Sequence, residues 1–467
     1  MGWLEWLVLA AGRELMLFAS VGILLIGLDD LLLDMLWLAR RRIPPPDAAA
    51  AEAEAAPLGG RLAVFVPAWD EAAVLPAMLR RTLAAWDGED IRLYVGCYPN
   101  DPATIAAVAP LVACDARLRL VIGPKDGPTT KGDNLNRLWA ALCADERALD
   151  MRFAAVVLHD AEDHVHPGEL ALYRRHLAHH AMVQIPVVPM IGRGARWIGG
   201  HYGDEFAEAH GKELPLRSAL GLPLPSAGVG CALTRDALAR LAVDRSGQPF
   251  RADSLTEDYE IGMLIGAHGL GARFVDVVDG HGGRIVSRGE FPRRFELAVR
   301  QKARWIAGIA LAGWDHLGWS NRHAAGPGAR RATGWLARWM LWRDRRAPLA
   351  AVVVLAAYLA TAVSLLAVAG RALFGWRAIE AGEGARLLVG AGLLLLLWRL
   401  AMRVGFTARC HGWREGLCAV PRAFIANMIA ILAARRAVSL YWRMIRSGVV
   451  IWDKTAHPDA EAAPVPA

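Results

Sequence analysis

Apolar and polar residues follow different patterns in the middle of the chain and near its two ends. Residues 15–38, 349–370 and 386–404 form apolar runs that are long enough to cross a bilayer. Between the first and second runs, short apolar stretches alternate with longer segments whose apolar residues recur at helical spacing. The pattern therefore predicts an α/β domain inserted between transmembrane helices.

The middle region is expected to alternate between strands and helices. Strands are predicted at residues 62–66, 91–98, 118–122 and 153–158, and helices at residues 74–85, 102–112 and 133–143. Such repetition predicts a mostly parallel sheet with helices on both faces. The turn after the first strand lacks G-x-G-x-x-G and no Walker A sequence occurs, which disfavours a dinucleotide or P-loop site.

These patterns divide the chain into six segments. They are an N-terminal transmembrane segment (1–42), a Pro- and Ala-rich linker (43–60), the α/β domain (61–313), interfacial helices rich in Trp and Arg (314–346), two transmembrane helices (347–404), and an interfacial helix with a cytoplasmic tail (405–467). The arginines at 40–42 follow the first apolar run, so the positive-inside rule predicts a cytosolic α/β domain.

Polar residues inside two apolar segments need a separate explanation. Asp29, Asp30 and Asp34 are costly in lipid, and we expect them to face other helices, headgroups or a water-filled path. Residues 417–438 are also apolar but contain Arg422 and Asn427, which we expect to face water or protein. A crossing there would place the following arginines outside, so an interfacial helix is predicted.

The charge and composition agree with a membrane protein. The net charge is +7 and the mean hydropathy is +0.27, with 18 Trp residues, which collect at membrane interfaces. Arginine clusters flank the apolar segments, so membrane lipid explains the basic charge better than nucleic acid does. The six cysteines form no CxxC pair, which indicates a reducing compartment.

An acidic cluster follows the predicted strand at 153–158. Asp160 and Glu162 are two residues apart, so on an extended backbone they point to one side and can share a cation. The edge at the carboxyl ends of the strands is where open α/β sheets bind ligands. Mg²⁺ or Mn²⁺ would take these carboxylates and leave positions for a diphosphate. A solvated acidic turn is the alternative, and Asp163 is a rival ligand.

Three later motifs add candidate binding residues. The segment 256–258 is typical of an acidic helix N-terminus, and the glycines within 226–230 would let a ligand approach the backbone closely. On a helix, Gln301, Arg304 and Trp305 share one face that offers an amide, a cation and an indole. Residues 202–206 are interpreted as a structural turn.

Together these motifs resemble membrane-bound family-2 glycosyltransferases, the cellulose-synthase-like enzymes with a Rossmann-like GT-A fold. The resemblance rests on a Pro67-x-x-x-Glu71 turn, Asp160-Ala161-Glu162, Thr256-Glu257-Asp258 and Gln301-x-x-Arg304-Trp305, in that order. More narrowly, residues 98–104, 204–208 and 300–302 resemble the glycosyltransferase module of the bacteriophage adsorption protein B family. This chain departs from the family pattern in having Glu162 in the metal motif and Asn100-Asp101 on the nucleoside side.

The resemblance implies an inverting hexosyl transfer from a UDP-sugar. It implies Asp258 as the catalytic base and Asp160 with Glu162 as ligands of Mg²⁺ or Mn²⁺. The implied nucleotide-sugar-binding residues are Glu71, Asn100, Asp101, Lys131, Asp160, Gln301 and Arg304. Glu257 and Trp305 would contact the acceptor, and Glu257 is also the second candidate for the base.

The implied partners are a growing glycan or lipid-linked acceptor, membrane lipid and an export partner in the outer membrane. Cell-envelope or exopolysaccharide synthesis in the bacterial inner membrane follows from the same resemblance. A degenerate transferase that acts as a membrane receptor or scaffold for phage adsorption is the alternative. A zinc site at His164, His166, His176, His179 and His180, and a channel or transporter, are weaker hypotheses.

Overall fold

The computed structural model describes residues 2–41, 56–319, 331–379, 382–448 and 450. Most of the predicted linker and nearly all of the predicted tail lie outside these residues. The strands are β1 Leu62–Pro67, β2 Ile91–Cys97, β3 Leu118–Ile122, β4 Ala155–Leu158, β5 Met182–Gln184, β6 Val187–Pro189, β7 Cys231–Thr234, β8 Ala272–Phe274 and β9 Ser287–Gly289.

The α-helices begin with one long N-terminal helix and end with three more long ones. They are α1 Trp3–Arg41, α2 Leu75–Ala85, α3 Pro102–Cys114, α4 Lys131–Ala148, α5 Glu169–Leu177, α6 Ile198–Glu208, α7 Leu214–Ala219, α8 Arg235–Val243, α9 Glu257–Ala267, α10 Phe295–Ile306, α11 Gly313–Leu317, α12 Arg331–Arg345, α13 Ala347–Phe374, α14 Glu383–His411 and α15 Trp413–Ser447. Two π-helical turns, Ala209–Glu213 and Ala307–Ala312, follow α6 and α10 directly.

The main sheet has the strand order β3-β2-β1-β4-β7-β5-β8. Strands β3, β2, β1 and β4 are parallel neighbours, whereas β7 runs antiparallel to both β4 and β5. The prediction of a mostly parallel sheet is therefore confirmed. The carboxyl ends of β1, β2 and β4 meet at one edge, which is where ligands bind in such folds.

Both faces of the sheet are buried, and this explains the apolar strands. In β1, Leu62, Val64 and Val66 face one core, which α2 and α5 cover. The alternate residues Ala63 and Phe65 face a second core with α4, α8 and α9. A sheet covered on both faces needs apolar residues at every position, so its strands are apolar runs rather than alternating ones.

Four described helices are long and apolar enough to cross a membrane: α1, α13, α14 and α15. The three predicted crossings lie within α1, α13 and α14, and α1 packs against both of the others. Helix α15 contains the segment that we predicted to be interfacial. It packs on α10 of the α/β domain as well as on α13 and α14.

The aspartates within α1 are paired with side chains from other helices. Asp29 contacts Arg343 and Arg346, and Asp30 contacts these two arginines and Arg399. Asp34 accepts hydrogen bonds from Lys212 Nζ at 2.6 Å and from Trp398 Nε1 at 2.8 Å. These contacts join α1 to α12, to α14, to Arg346 directly before α13, and to the α/β domain, and they confirm the expectation that the aspartates face other helices.

The interpretation of residues 202–206 as a turn is wrong, because they belong to helix α6. Glycine and aspartate suggested a turn, but Tyr202 and Phe206 lie four residues apart and both pack against Phe291. Burial of that apolar face outweighs the weak helix propensity of the polar residues between them.

Candidate active site

A cavity of about 220 Å³ lies at the carboxyl edge of the sheet. Its wall combines residues that follow β1 and β4, the start of α4, the glycine-containing loop before β7, the start of α9, and the last turns of α10. Among the sequence-predicted site residues, those lining this cavity are Glu71, Lys131, Asp160, Glu162, Glu257, Asp258, Gln301, Arg304 and Trp305. Segments more than 200 residues apart in sequence therefore form one site.

The acidic cluster begins directly after β4, and its two predicted metal ligands both line the cavity. Lys131 Nζ lies 2.6 Å from Asp160 Oδ1 and 3.4 Å from the carbonyl oxygen of Gly228. Lys131 is the first residue of α4, whose N-terminus is capped by the Thr130 hydroxyl. The cap and the buried helix hold this ammonium group beside the acidic cluster.

Asp163, the alternative metal ligand, is buried, and one of its carboxyl oxygens forms two hydrogen bonds. Its Oδ2 atom lies 2.9 Å from His159 Nδ1 and accepts a hydrogen bond from the backbone N–H of Asp160 at 3.1 Å. These contacts engage one oxygen of Asp163, and the choice of Glu162 as the partner of Asp160 stays a prediction.

Two carboxylates at an open cavity suit a hard divalent cation. Mg²⁺ is commonly held by one or two protein carboxylates, with the remaining positions taken by water and substrate phosphates. Within the described part of the chain, no three His, Cys, Asp or Glu side chains form a metal-ligating group. Asp160 and Glu162 would thus supply two ligands, and an ion there would take its others from water or from substrate.

Asp258 is the second residue of α9 and faces the glycine-containing loop at residues 226–230. A Cβ atom on Gly228 would lie 2.6 Å from Asp258 Oδ2, and Gly228 has φ +75°. Both the close approach and the left-handed backbone require glycine there. Burial raises the pKa of the Asp258 carboxyl, and the nearby Lys131 ammonium opposes that shift.

Glu257 is more deeply enclosed than Asp258. Its side chain is 2% exposed, and Oε1 has no hydrogen-bond partner among the described residues. Burial, together with the charge of Asp258, raises the pKa of Glu257 to about 8. The pair thus contains two carboxyl groups that hold protons more tightly than exposed acids do.

Helix α10 confirms that Gln301, Arg304 and Trp305 share one helical face, and all three line the cavity. The Trp305 ring contacts the Tyr202 ring edge-on, with centroids 5.8 Å apart. Lys302, on the neighbouring face, forms an ion pair with Glu205 of α6. Helix α6 therefore supports α10 through this ion pair and this ring contact.

Asn100 and Asp101 do not line the cavity. Asp101 caps α3 by accepting from the backbone N–H of Thr104 at 3.2 Å, and its other oxygen accepts from the backbone N–H of Asp70 at 2.6 Å. Asn100 exchanges two hydrogen bonds with the backbone of Gly127, at 2.7 and 2.8 Å. Both side chains hold the loops that carry the cavity wall, and direct contact with a nucleoside stays a prediction.

Four aromatic residues that line the cavity were not selected from the sequence as site residues: Trp69, Tyr98, Phe206 and Phe291. The Trp69 and Tyr98 rings meet edge-on, with centroids 5.2 Å apart. Trp69 follows β1 and Tyr98 follows β2, at the edge where the acidic cluster lies. An aromatic residue within two positions of the end of each of two neighbouring parallel strands was the available signal for Trp69 and Tyr98, because those strand ends meet at the ligand edge.

Comparisons with known proteins find similarity to glycosyltransferases. Residues 155–368 match the sequence model of glycosyl transferase family group 2. Bacteriophage adsorption protein B of Escherichia coli strain K12 is 34% identical over 422 residues, which cover 85% of this chain and 54% of the relative. Bacteriophage N4 adsorption protein B of Escherichia coli O157:H7 matches with the same values. This chain thus spans about half the length of these curated relatives.

A solved structure resembles almost the whole chain. It is the mannosyltransferase PcManGT from Pyrobaculum calidifontis, determined in complex with GDP-Man and Mn²⁺. The TM-score is 0.51 at 18% identity, and the match covers 92% of this chain and 99% of that one. At this identity the likeness supports the fold alone. The α/β region therefore has the GT-A fold of glycosyltransferases, its residues 155–368 are similar to glycosyl transferase family group 2, and apolar helices flank it.

Proposed function

We propose that the chain is an inverting glycosyltransferase that moves a hexosyl group from a UDP-sugar to a membrane-associated acceptor. The observation that carries the proposal is the meeting of three motifs in one cavity: Asp160 with Glu162, Asp258, and the α10 face with Arg304. A metal-binding pair, a base and a fixed cation are the groups that transfer from a nucleoside diphosphate requires.

The donor's nucleoside would lie near Glu71 and the two aromatic rings of Trp69 and Tyr98. Its diphosphate would lie between Lys131 and Arg304, since a guanidinium group offers paired donors to phosphate oxygens. Gln301 would add an amide contact. Asp160 and Glu162 would hold Mg²⁺ or Mn²⁺, and when bound the ion would neutralise charge on the departing diphosphate as a Lewis acid.

Asp258 would take the proton from the acceptor hydroxyl as that oxygen attacks the anomeric carbon opposite the diphosphate. Its raised pKa suits this role, because a base is most effective when its pKa lies closer to the working pH. The neighbouring Glu257 would contact the acceptor. Inversion follows when attack and departure occur on opposite faces of the sugar.

The acceptor end of the cavity supports a membrane-associated acceptor. Trp305 would stack on the acceptor sugar, and its cluster of packed side chains includes Ile425 and Ile429 of α15. Because α15 is one of the apolar candidate membrane helices, this end of the cavity lies next to the membrane-bound part of the chain. A growing glycan or a lipid-linked sugar would reach Trp305 from that side.

The proposed setting is the bacterial inner membrane, with the catalytic domain in the cytosol. Nucleotide sugars are made there, and the arginines at 40–42 support that orientation. The product would enter a cell-envelope or exopolysaccharide glycan, and an outer-membrane export partner would receive it.

The direct test incubates the purified protein with radiolabelled UDP-sugars and GDP-mannose, each with Mg²⁺, Mn²⁺ or EDTA, and a membrane extract as acceptor source. We expect one UDP-sugar to label a product, with loss of transfer in EDTA. Labelling from GDP-mannose alone would contradict the UDP assignment. Release of free sugar with retained anomeric configuration would contradict inversion.

Asp258→Asn should lower turnover by a factor on the order of a hundred or more, because it removes the base at nearly constant volume. UDP affinity, measured by calorimetry, should stay within about twofold, since the base contacts the acceptor side. Asp253→Asn, an exposed aspartate shortly before the motif, is the control and should leave turnover unchanged. Near-normal turnover of Asp258→Asn would transfer the role of base to Glu257.

A receptor or scaffold without catalysis is the second candidate, because both curated relatives are named as phage adsorption proteins. It predicts that the Asp258→Asn variant supports phage adsorption in a complementation assay as well as the unmodified chain does. Adsorption that depends on the catalytic carboxylate would instead link adsorption to the glycan product.

A further inference from the structure

A buried network of ionisable groups lies directly behind the acidic cluster. His159 Nδ1 lies 2.9 Å from Asp163 Oδ2, and His159 Nε2 lies 2.9 Å from Glu169 Oε1. The Tyr173 hydroxyl donates to the same Glu169 oxygen at 2.7 Å. All four side chains are at most 3% exposed. The roles assigned above to the site residues do not use this network.

The ring of His159 has a carboxyl oxygen within hydrogen-bond distance of each nitrogen. Two hydrogen bonds fix the orientation of the ring, and they link the acidic cluster to the first residue of α5. Removal of the ring would leave buried oxygens of Asp163 and Glu169 without this partner, and an unpaired buried polar group is costly.

The network is joined to the metal-binding segment through one oxygen. Asp163 Oδ2 is hydrogen-bonded to His159 Nδ1 and also accepts from the backbone N–H of Asp160. The backbone N–H of Asp163 in turn donates to the carbonyl oxygen of Asp160 at 3.3 Å. Rotation of the Asp163 side chain would therefore release the backbone at Asp160.

The other end of the network is anchored in a helix. Glu169 begins α5, and its second carboxylate oxygen accepts from the backbone N–H of His166 at 3.3 Å. Beyond the cluster, His164 and Arg288 exchange two backbone hydrogen bonds, which tie the segment to β9. The loop from Asp160 to Glu162 is thus held between β4, α5 and β9.

We propose that His159 is a positioning residue whose imidazole ring, bridging Asp163 and Glu169, holds Asp160 and Glu162 in the arrangement that binds the divalent cation. The proposal rests on the proposed metal-dependent function of this cavity. Residues behind a metal ligand commonly set metal affinity in this way without touching the ion. His159 would therefore act on cation binding and leave the nucleoside end of the cavity unaffected.

The test measures Mn²⁺ binding to the purified full-length chain by electron paramagnetic resonance of free Mn²⁺, at a fixed saturating UDP concentration. His159→Gln should weaken Mn²⁺ binding by about 10- to 100-fold, the range typical of outer-shell partners of metal ligands. Glu169→Gln should act in the same direction, because it removes one of the two carboxylates. UDP binding without metal should stay within about twofold, since the nucleoside contacts lie elsewhere.

The matched control is His164→Gln, a histidine on the same loop whose described contacts to β9 are made by its backbone. It should leave Mn²⁺ binding unchanged. Tyr173→Phe keeps the charges and removes one hydrogen bond to Glu169, so it should disturb folding less than His159→Gln does. It should weaken Mn²⁺ binding by about two- to fivefold.

Three results would overturn the proposal. The first is unchanged Mn²⁺ affinity of folded His159→Gln or, where that variant does not fold, of Tyr173→Phe. The second is an equal loss of metal-free UDP binding, which would indicate general disruption of the site. The third is absence of Mn²⁺ binding by the unmodified chain with UDP, which would overturn the metal-dependent function together with the positioning role.

Discussion

Helices α14 and α15 follow each other in the chain and are equally apolar, yet their surroundings differ. The most apolar 18-residue window of each has a mean hydropathy of 1.9. In α14, 6% of that window is buried, whereas 33% is buried in α15, where one face packs on the catalytic domain. Hydropathy records that a face is apolar, and it does not record whether lipid or protein covers that face.

Contacts with the catalytic domain extend along nearly the whole of α15. Near its start Glu415 pairs with Arg196 at 2.7 Å, and near its end Leu440 packs in a cluster with Leu255 and Ala303. A helix of 35 residues is about 50 Å long at 1.5 Å per residue. If the α/β domain is cytosolic as predicted, a helix that crosses about 30 Å of hydrocarbon could not touch it at both ends. This geometry supports the prediction that α15 is interfacial.

The opposite face of α15 is suited to lipid. Its exposed apolar side chains are Trp413, Leu417, Val420, Phe424, Leu432, Val438, Trp442 and Ile445. Their spacing of mostly three or four residues places them in a stripe along one side of the helix. An interfacial helix with one face on protein and the other in the headgroup region explains both the hydropathy and the burial.

The largest expected difference between the two helices is topological. If α15 lies at the interface, a reporter active only outside the cytoplasm and fused after residue 467 should be inactive. The same reporter inserted between α13 and α14 should be active, because α13 runs outward and α14 returns. Reporter activity at the end of the chain would show that α15 crosses and would contradict the predicted cytoplasmic tail.

The second difference concerns arginines within the two helices. Arg422 of α15 is fully buried and holds Asp204 with two hydrogen bonds, at 2.7 and 2.9 Å. Arg422→Ala leaves Asp204 buried without its cation, which should lower the free energy of unfolding by about 3–5 kcal/mol. Arg399→Ala in α14 should have a much smaller effect, since Asp30 keeps Arg343 and Arg346. Thermal unfolding in detergent micelles checks both variants.

A double variant identifies the cause of that loss. Asp204→Asn combined with Arg422→Met leaves no unpaired buried charge, so it should recover part of the stability lost in Arg422→Ala. Equal destabilisation of the double variant would indicate that the arginine contributes by packing rather than by its charge.

The smallest effect on stability is expected from substitutions that enlarge an alanine side chain in α15 or α14. Ala437 of α15 is fully buried in the cluster with Ala303 of α10, so Ala437→Leu should cost about 1–3 kcal/mol of stability by overpacking. Ala401→Leu in α14 should be tolerated, because Ala401 is exposed. Because α10 carries Trp305, we also expect Ala437→Leu to raise the KM for the acceptor. An unchanged stability and KM would mean that α15 contacts α10 loosely.

Much of the site could be predicted from short stretches of sequence, because its residues lie at a strand end and on one helix face. Asp160 and Glu162 follow a strand whose apolar run defines it, and the spacing of Gln301, Arg304 and Trp305 defines one helical face. Strand ends and helix faces are set by short-range periodicity, which the sequence contains. The placement of Asn100 could not be predicted in this way, because its hydrogen-bond partner Gly127 lies in another loop.

The sequence by itself determined the alternation of strands and helices, the apolar segments and the order of the catalytic motifs, since each depends on residues close together in the chain. Tertiary structure alone decided which surface covers the apolar face of α15 and which partner each buried charge takes. Asp163 forms a hydrogen bond with His159, and Arg422 donates to Asp204, which is 218 residues away in the sequence. Such pairings depend on the packing of distant elements, because a charge removed from water is stable only where the fold brings a partner to it.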